Sequence, residues 1–566
     1  MTVKPMRMRA TRLPSGIWLG LLVTLIGLLS FRIYAAHLAP DLDSDSAIHI
    51  LMAADLRLPQ DLYYWGQDRL GSLLPLLAHA LLKLTPLTPA EAIAAVQYFL
   101  LAVGYLCLSS LFQTRFARLA FAVVWFLPIF DFRTLVVTAH PYGPQFALIG
   151  LALVLVNQML PALTWASWRR NLLRLGLIAA CLMLGVWVSD FSILFIAALV
   201  VLAIARVLRR WFRVSVDAAQ TVLIRAEIPQ VQLRRLGLML LAGGLLAGLG
   251  LGLIGSAKQT ASAQNDYARL TNLAELQTNL GRLVSAWWQT VSFRANPFLS
   301  CYALLITGLL VYWAYALYRS YRQRPAQPVS VQPVSVQPVS VQPISDWVYF
   351  FAGSALMGFL LLITAWWVYE NTTNLRYFVP VYVTGWMAAL LLVEQLSGRI
   401  RRISLLLIGL IVLCSLASQP QSFALPRPVA KVEQFQPLTD LGKAGFIGDY
   451  WSSYILCTAN PDQLACTSHD LQNRTPCDPA SAQITKAQRT AQRTENHRLF
   501  KAVRCARCAR RVLRAKSIYL VERDWLPEFP PEMQQFGQCL VKTGEPQTIA
   551  GYRMAPYRVK RLDGPK

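Results

Sequence analysis

The decapeptide DLDSDSAIHI, residues 41–50, places three carboxylates, Asp41, Asp43 and Asp45, within five residues. It follows GIWLGLLVTLIGLLSFRIYAA, an apolar run long enough to span a bilayer. A carboxylate held where a chain leaves the membrane loses hydration, which raises its pKa toward the range of a useful general base. A plainer use is structural. Acids favour a helix N-terminus, and Ser44 or Asp45 is of the right type to cap a helix over AIHILMAADL. Capping occupies one or two of the three acids and leaves a third for chemistry. An arginine at the same boundary offers a planar fork for anionic oxygens. Arg376, beside Tyr377 in NLRYFVPVY, stands at such a boundary, where an interfacial arginine anchor is an equally good reading of the residue by itself.

Other ionisable residues share that boundary: Asp131 and Arg133 in FDFRTLV, His140 in TAHPYG, Asp190 within the apolar stretch 172–208, and Glu370, a candidate ion-pair partner for Arg376. Ionisable groups at this depth are functional candidates, although a hairpin tip accounts for Asp190 more simply.

The elements that must position these residues are mostly membrane spans. The chain has 566 residues, is 55% hydrophobic and has a mean hydropathy of +0.41. Eleven apolar segments read as spans: 17–36, 92–112, 118–132, 143–160, 172–189, 191–208, 236–256, 298–318, 347–369, 377–396 and 403–418. The formal charge of +25 is concentrated in alternate loops, such as RFAR, SWRRNLLR, LRRWFR, YRSYRQR and GRIRR. This is the pattern of cytoplasmic loops, and it argues against nucleic-acid binding. The basic start MTVKPMRMRATR, with no small-residue cleavage site after it, predicts a retained first span and a cytoplasmic N-terminus. Alternation then puts the 38–90 loop and the tail outside.

Three segments fall outside the spans. In 38–90, AIHILMAADLRL and RLGSLLPLLAHALLKL are amphipathic at helical spacing and predict helices in the interface plane. Residues 324–346 hold a repeat of Val-Ser-Val-Gln-Pro, uncharged and with a proline in each unit, which predicts an extended cytoplasmic linker. Residues 419–566 form a polar tail, expected to be a small extracytoplasmic α/β domain, with a buried strand in KSIYLVERDWLPEF and a helix in PPEMQQFGQCLV. Its six cysteines, 457, 466, 477, 505, 508 and 539, predict disulfides, and zinc or redox use of the Cys505-x-x-Cys508 pair is the alternative. The basic run 486–516 is either a solvated helix face or a surface for anionic lipid headgroups or a lipid-linked phosphate. The expected fold is therefore an all-α polytopic membrane domain over 1–418, of about 11 spans, followed by the small α/β domain.

LDSDSAIHILMAADL followed by YYWGQDRLGSLLPLL resembles the first external loop of the GT-C superfamily of integral-membrane glycosyltransferases, of the bacterial protein O-mannosyltransferase and aminoarabinose-transferase type. The matching positions are Ser44, Asp45, Ala47, Tyr63, Tyr64, Gly66, Gln67, Gly71 and Ser72. NLRYFVPVY resembles the superfamily's late Arg-Tyr motif at Arg376 and Tyr377, and GFIGDYWSSYIL resembles the opening of its external domain. The resemblance implies a bacterial inner-membrane enzyme that takes a sugar from a polyprenyl-phosphate donor among the membrane lipids. Asp45, backed by Asp43, would remove the proton from the acceptor hydroxyl, with inversion at the anomeric carbon. Arg376, Tyr377, Tyr64, Gln67, Arg69, His140 and Asp131 are the substrate-binding candidates. The acceptor is an envelope glycan, lipid or protein. Where many members carry a glutamate after the aspartate this chain has Ser46, which leaves open whether a divalent metal takes part. Two other classes compete: a lipid or glycan flippase, which should show inverted repeats and midplane charges that the sequence lacks, and an inactive envelope scaffold.

Overall fold

The computed structural model describes residues 15–138, 140–159, 168–205, 230–261, 269–294, 296–322, 345–423, 428–470, 477 and 505–560. The Pro-rich repeat over 324–344, the basic residues 486–504 and the N-terminal residues 1–14 lie outside them.

Among the described residues, eight helices are long and apolar enough to cross a membrane. They include Gly16–Tyr34, Pro89–Ser109, Tyr142–Met159 and Gly398–Ala417. The other three expected spans are also helical but differ in length. Arg115–Phe126 stops after 12 residues, because Leu127 precedes Pro128 and the residue before a proline is pushed out of the helical region. Asp190–Ala205 is a shorter apolar helix, and Gln230–Gln259 extends past the expected 236–256 at both ends. Short as it is, Arg115–Phe126 sits at the centre of the helical core, where the buried Trp125 indole donates to the Leu101 carbonyl at 3.0 Å.

One helix was not foreseen. Leu273–Val291 opens with a capping box in which Asn272 and Glu275 satisfy each other's backbone amides. Its sequence is too polar to read as a span, yet its buried Asn279 ties it to the polypeptide that leads into Arg376.

The first-loop helices form at Ser44–Ala54 and Leu73–Leu82. Ser44–Ala54 is more enclosed than an amphipathic pattern implies, because Ser44 and every residue from Ser46 to Ala53 are buried. Ala47, Ile48, Leu51 and Met52 pack with Tyr450, Tyr454 and Leu456 of the tail domain, while Ile50 and Ala53 pack on the Pro89–Ser109 helix. An amphipathic pattern cannot distinguish one buried face from two when the second partner lies about 400 residues away.

The tail domain is a seven-stranded mixed sheet with the order β2-β1-β3-β7-β5-β4. Its strands are β1 (Ala444–Gly448), β2 (Ala465–Ser468), β3 (Ser517–Val521), β4 (Glu532–Gln535), β5 (Gln538–Lys542), β6 (Gln547–Ile549) and β7 (Tyr552–Val559). β1 runs parallel to β2 and β3, and the remaining pairs, with β6 on β7, are antiparallel. β3 is the expected buried strand. The helix expected over PPEMQQFGQCLV is instead the β4–β5 hairpin. Phe536 and Gly537, at φ of 52° and 73°, form its two-residue turn, and positive φ at both positions gives the twist that joins antiparallel strands directly. All six tail cysteines are paired, as Cys457–Cys466, Cys477–Cys539 and Cys505–Cys508.

Candidate active site

Asp43, not Ser44 or Asp45, caps the first-loop helix. Its Oδ1 accepts from the Ser46 amide at 2.8 Å. Asp45 is thereby released from capping. It stands half-buried in the first turn, where its Oδ1 accepts a short hydrogen bond from the Tyr450 hydroxyl. Tyr450 is buried and begins the tail-domain helix Tyr450–Leu456, whose N-cap is Asp449. Tyr64, also buried, donates to the Asp45 carbonyl at 3.2 Å, and its oxygen lies 3.4 Å from that of Tyr450. Two tyrosines from opposite ends of the chain thus fix both the backbone and the side chain of Asp45. Asp41 points away. Its carboxylate is exposed and pairs with Arg133 at 3.4 Å.

The YYWGQDRLGS segment forms a tight loop. Tyr63 bridges Gly71 in antiparallel fashion, and the Tyr64 amide donates to the Leu70 carbonyl at 2.8 Å. Gly71 is required by close approach: a Cβ there would meet the Trp187 carbonyl oxygen at 2.4 Å. The loop holds Gln67, which accepts from Arg69 Nε at 3.3 Å, and sets the Arg69 guanidinium 5.0 Å from the Trp367 ring centre.

On the far side, Arg376 donates from Nη2 to the Tyr377 hydroxyl at 2.9 Å and lies over that ring. Its backbone carbonyl accepts from Tyr142 at 3.2 Å and from Thr134 at 3.4 Å. No ion pair joins it to Glu370 among the described residues. The approach to Arg376 is strained. Thr372 and Thr373 stand at φ of 57° and 55°, and β-branched residues are genuine outliers there. The Thr373 hydroxyl bonds Asn279 at 2.6 Å, and Arg282 donates to the Tyr369 carbonyl at 2.8 Å, so the Leu273–Val291 helix clamps this loop.

The two halves face each other closely enough for their charges to interact. The positive charge of Arg376 acts on Asp43, while Arg376 and Arg69 both act on His140. Burial, with the Asp45 charge beside it, raises Asp43 to about 6. Burial, with help from Arg376, holds His140 well below the usual histidine range, and burial alone takes His49 down to about 3. Both histidines are therefore neutral at pH 7. Nε of Arg376, Nε2 of His140 and both ring nitrogens of His49 are buried with no hydrogen-bond partner among the described residues. Groups of this kind call for a ligand or ordered water.

Most of the expected site residues converge here: Asp45, Asp43, Tyr64, Gln67, Arg69, His140, Arg376 and Tyr377. Asp131 lies on the Phe130–Leu135 turn, whose Thr134 bonds the Arg376 carbonyl, and the charge acting on it is that of Arg133. Asp190 is a hairpin-tip residue that accepts from Lys258 at 2.7 Å. Tyr450 and His49 are additions. His49 sits one turn beyond Asp45 on the same helix, so spacing alone could have flagged it. Tyr450 carries no such signal, being 405 positions away from Asp45. Asp43 and Asp45 are hard oxygen donors of the type that suits Mg²⁺ or Mn²⁺. Among the described residues no third His, Cys, Asp or Glu joins them at ligand-sharing distance.

Asp43 has a consequence for stability. An acid whose pKa rises on folding stabilises the protein below its unfolded value of 3.8, and that contribution is lost as pH rises through about 6. Asp43→Asn keeps a capping side chain and cannot ionise. Its melting temperature should fall less than the wild type's between pH 4 and pH 7. Parallel pH profiles for the two proteins would place the burial penalty elsewhere.

No protein-family model and no curated protein matches the chain. Among solved structures, ArnT from Cupriavidus metallidurans bound to undecaprenyl phosphate is 12% identical, covers 98% of this chain and 100% of its own, and has a TM-score of 0.40. ArnT in the apo state gives the same identity and coverage with a TM-score of 0.36. The archaeal oligosaccharyltransferase AglB from Archaeoglobus fulgidus, in complex with an inhibitory peptide and a dolichol-phosphate, is 11% identical over 89% of this chain and 69% of its own, with a TM-score of 0.36.

Proposed function

We propose that the protein is an integral-membrane glycosyltransferase that moves a sugar from a polyprenyl-phosphate carrier to an acceptor hydroxyl with inversion. The observation that supports this reading is that a carboxylate not used for capping, Asp45, and a phosphate-type arginine, Arg376, share one cluster in which their charges interact. Asp45, relieved of capping by Asp43, takes the proton from the acceptor hydroxyl. The hydroxyl oxygen forms its bond to the anomeric carbon as the bond from that carbon to the carrier phosphate breaks. A base on one face and a leaving group on the other is the inverting arrangement. Arg376, with Arg69 beside Trp367, takes up the charge that develops on the departing phosphate. Neutral His140 and Tyr377 supply hydrogen bonds to the sugar or phosphate. A divalent cation at this site would be held by Asp43 and Asp45 and would take its other ligands from water and the carrier phosphate.

The alternation of basic loops supports an extracytoplasmic site in a bacterial inner membrane, facing an envelope glycan, lipid or protein acceptor. In intact cells, an impermeant thiol reagent should reach a cysteine placed at Asp440 and spare one at Ser335; the reverse would invert the topology. Purified protein in liposomes should consume a labelled polyprenyl-phosphate sugar and release the carrier phosphate when a cell-envelope extract is supplied. Consumption that does not depend on the extract would reduce the reading to hydrolysis, and consumption of no polyprenyl-phosphate sugar would exclude it.

A further inference from the structure

The tail-domain helix Ala506–Leu513 carries Arg507, Arg510 and Arg511, and Arg514 is its C-cap. Steps of three and four residues bring these arginines to one side of the helix, where they line a cleft of about 410 Å³. The opposite wall is the C-terminal end of the Asp45 helix, with Leu51, Ala54 and Asp55, followed by Arg57.

Only part of this charge is used within the protein. Arg507 pairs with Asp61 at 2.6 Å and Asp55 at 3.5 Å, and it lies over Trp65, fastening the tail domain to the first loop. Arg57 shares Asp55 at 3.2 Å. Arg511 is aimed by the carbonyls of Pro461 and Asp462, at 2.7 and 2.6 Å, which orient its fork without cancelling its charge. Arg510 and Arg514 have no ion-pair partner among the described residues. Like charges spaced four apart weaken a helix, so this arrangement is poor for local stability. The lining cations are all arginine, with no lysine, which favours the bidentate geometry of an oxyanion. The Cys505–Cys508 disulfide ties down the first turn of the helix that presents them.

We propose that this cleft binds a phosphate or carboxylate carried by the acceptor, docking it away from the hydroxyl that reacts. From Asp45 to Ala54 the shared helix rises ~14 Å, so the anionic group and the reacting hydroxyl belong to different parts of one acceptor molecule. Calling the ligand the acceptor rests on the glycosyl-transfer reading, whereas the oxyanion site does not. Binding energy gathered at such a distance is felt equally before and during attack, so it lowers KM for the acceptor without changing kcat.

The test uses the full-length protein in phosphatidylcholine nanodiscs, titrated with inorganic pyrophosphate at fixed ionic strength. Saturable binding is expected, at least tenfold weaker in the Arg510→Gln/Arg514→Gln variant and retained in Arg376→Lys. Absence of binding, or equal binding in the double variant, overturns the site. Loss of wild-type binding when phosphatidylglycerol is added to the nanodiscs would assign the cleft to lipid headgroups and overturn the acceptor role. In transfer assays the double variant should raise KM for the envelope acceptor with kcat retained. An unchanged KM would also remove the acceptor role while leaving glycosyl transfer standing. A wild type that binds pyrophosphate but transfers no sugar would sink the acceptor assignment together with the enzymatic reading and leave only the oxyanion site.

Discussion

Asp45→Asn should insert and fold normally yet lose sugar transfer by ~10²-fold or more, the scale of removing a general base. The structure makes this a clean comparison, because Asp43 is the residue that caps the helix. Asn at position 45 can still accept from Tyr450, so the tail domain keeps its contact. It cannot take a proton at neutral pH. Asp41→Asn should be nearly silent, since an exposed ion pair such as Asp41–Arg133 contributes little. Rates are to be measured at saturating donor, with melting temperature as the control for folding. If Asp45→Asn turned over at a near-normal rate while Asp43→Asn collapsed, the base would lie at Asp43 instead.

Arg376→Lys should preserve the positive charge and lose the fork. A lost charge-assisted hydrogen bond corresponds to roughly 1.5–3 kcal/mol, or about one to two orders of magnitude in donor binding and transfer together. Arg376→Ala should be worse, because it also removes the charge and the contact with Tyr377. Donor affinity and single-turnover rate separate ground-state binding from stabilisation of the departing phosphate. Equal values for the Lys and Ala variants would make Arg376 an interfacial anchor. Asn279→Ala, which touches neither donor nor acceptor, offers a check on the clamp. It should lower transfer without changing pyrophosphate binding in the arginine cleft.

Much of this was legible in the chain itself, for identifiable reasons. Each span is a local signal, an apolar run between basic loops, and all eleven segments are helical. Asp45, Tyr64, Gln67 and Arg376 could be named as candidates because they sit in short motifs that resemble those of a known superfamily. The reading failed where a distant partner decides the outcome. Ser44 or Asp45 is the expected cap from the sequence, and only the backbone shows that Asp43 bonds Ser46. PPEMQQFGQCLV has an apolar spacing that suits a helix, but Phe536-Gly537 turns it into a hairpin that β7 completes. The site residue Tyr450 and the buried anchor Asp61, which binds Trp65 and Arg507, acquire their roles only when the tail domain meets the first loop.

The Tyr450–Asp45 hydrogen bond also bears on how the protein is made. Asp45 leaves the ribosome 405 residues ahead of Tyr450, with all eight described helices long enough to span a membrane, except Gly16–Tyr34, made in between. The tail must then fold and settle on the Ser44–Ala54 helix before the carboxylate gains its second tyrosine. A half-synthesised chain therefore holds an incomplete centre, and the last domain to mature decides when the first loop becomes competent.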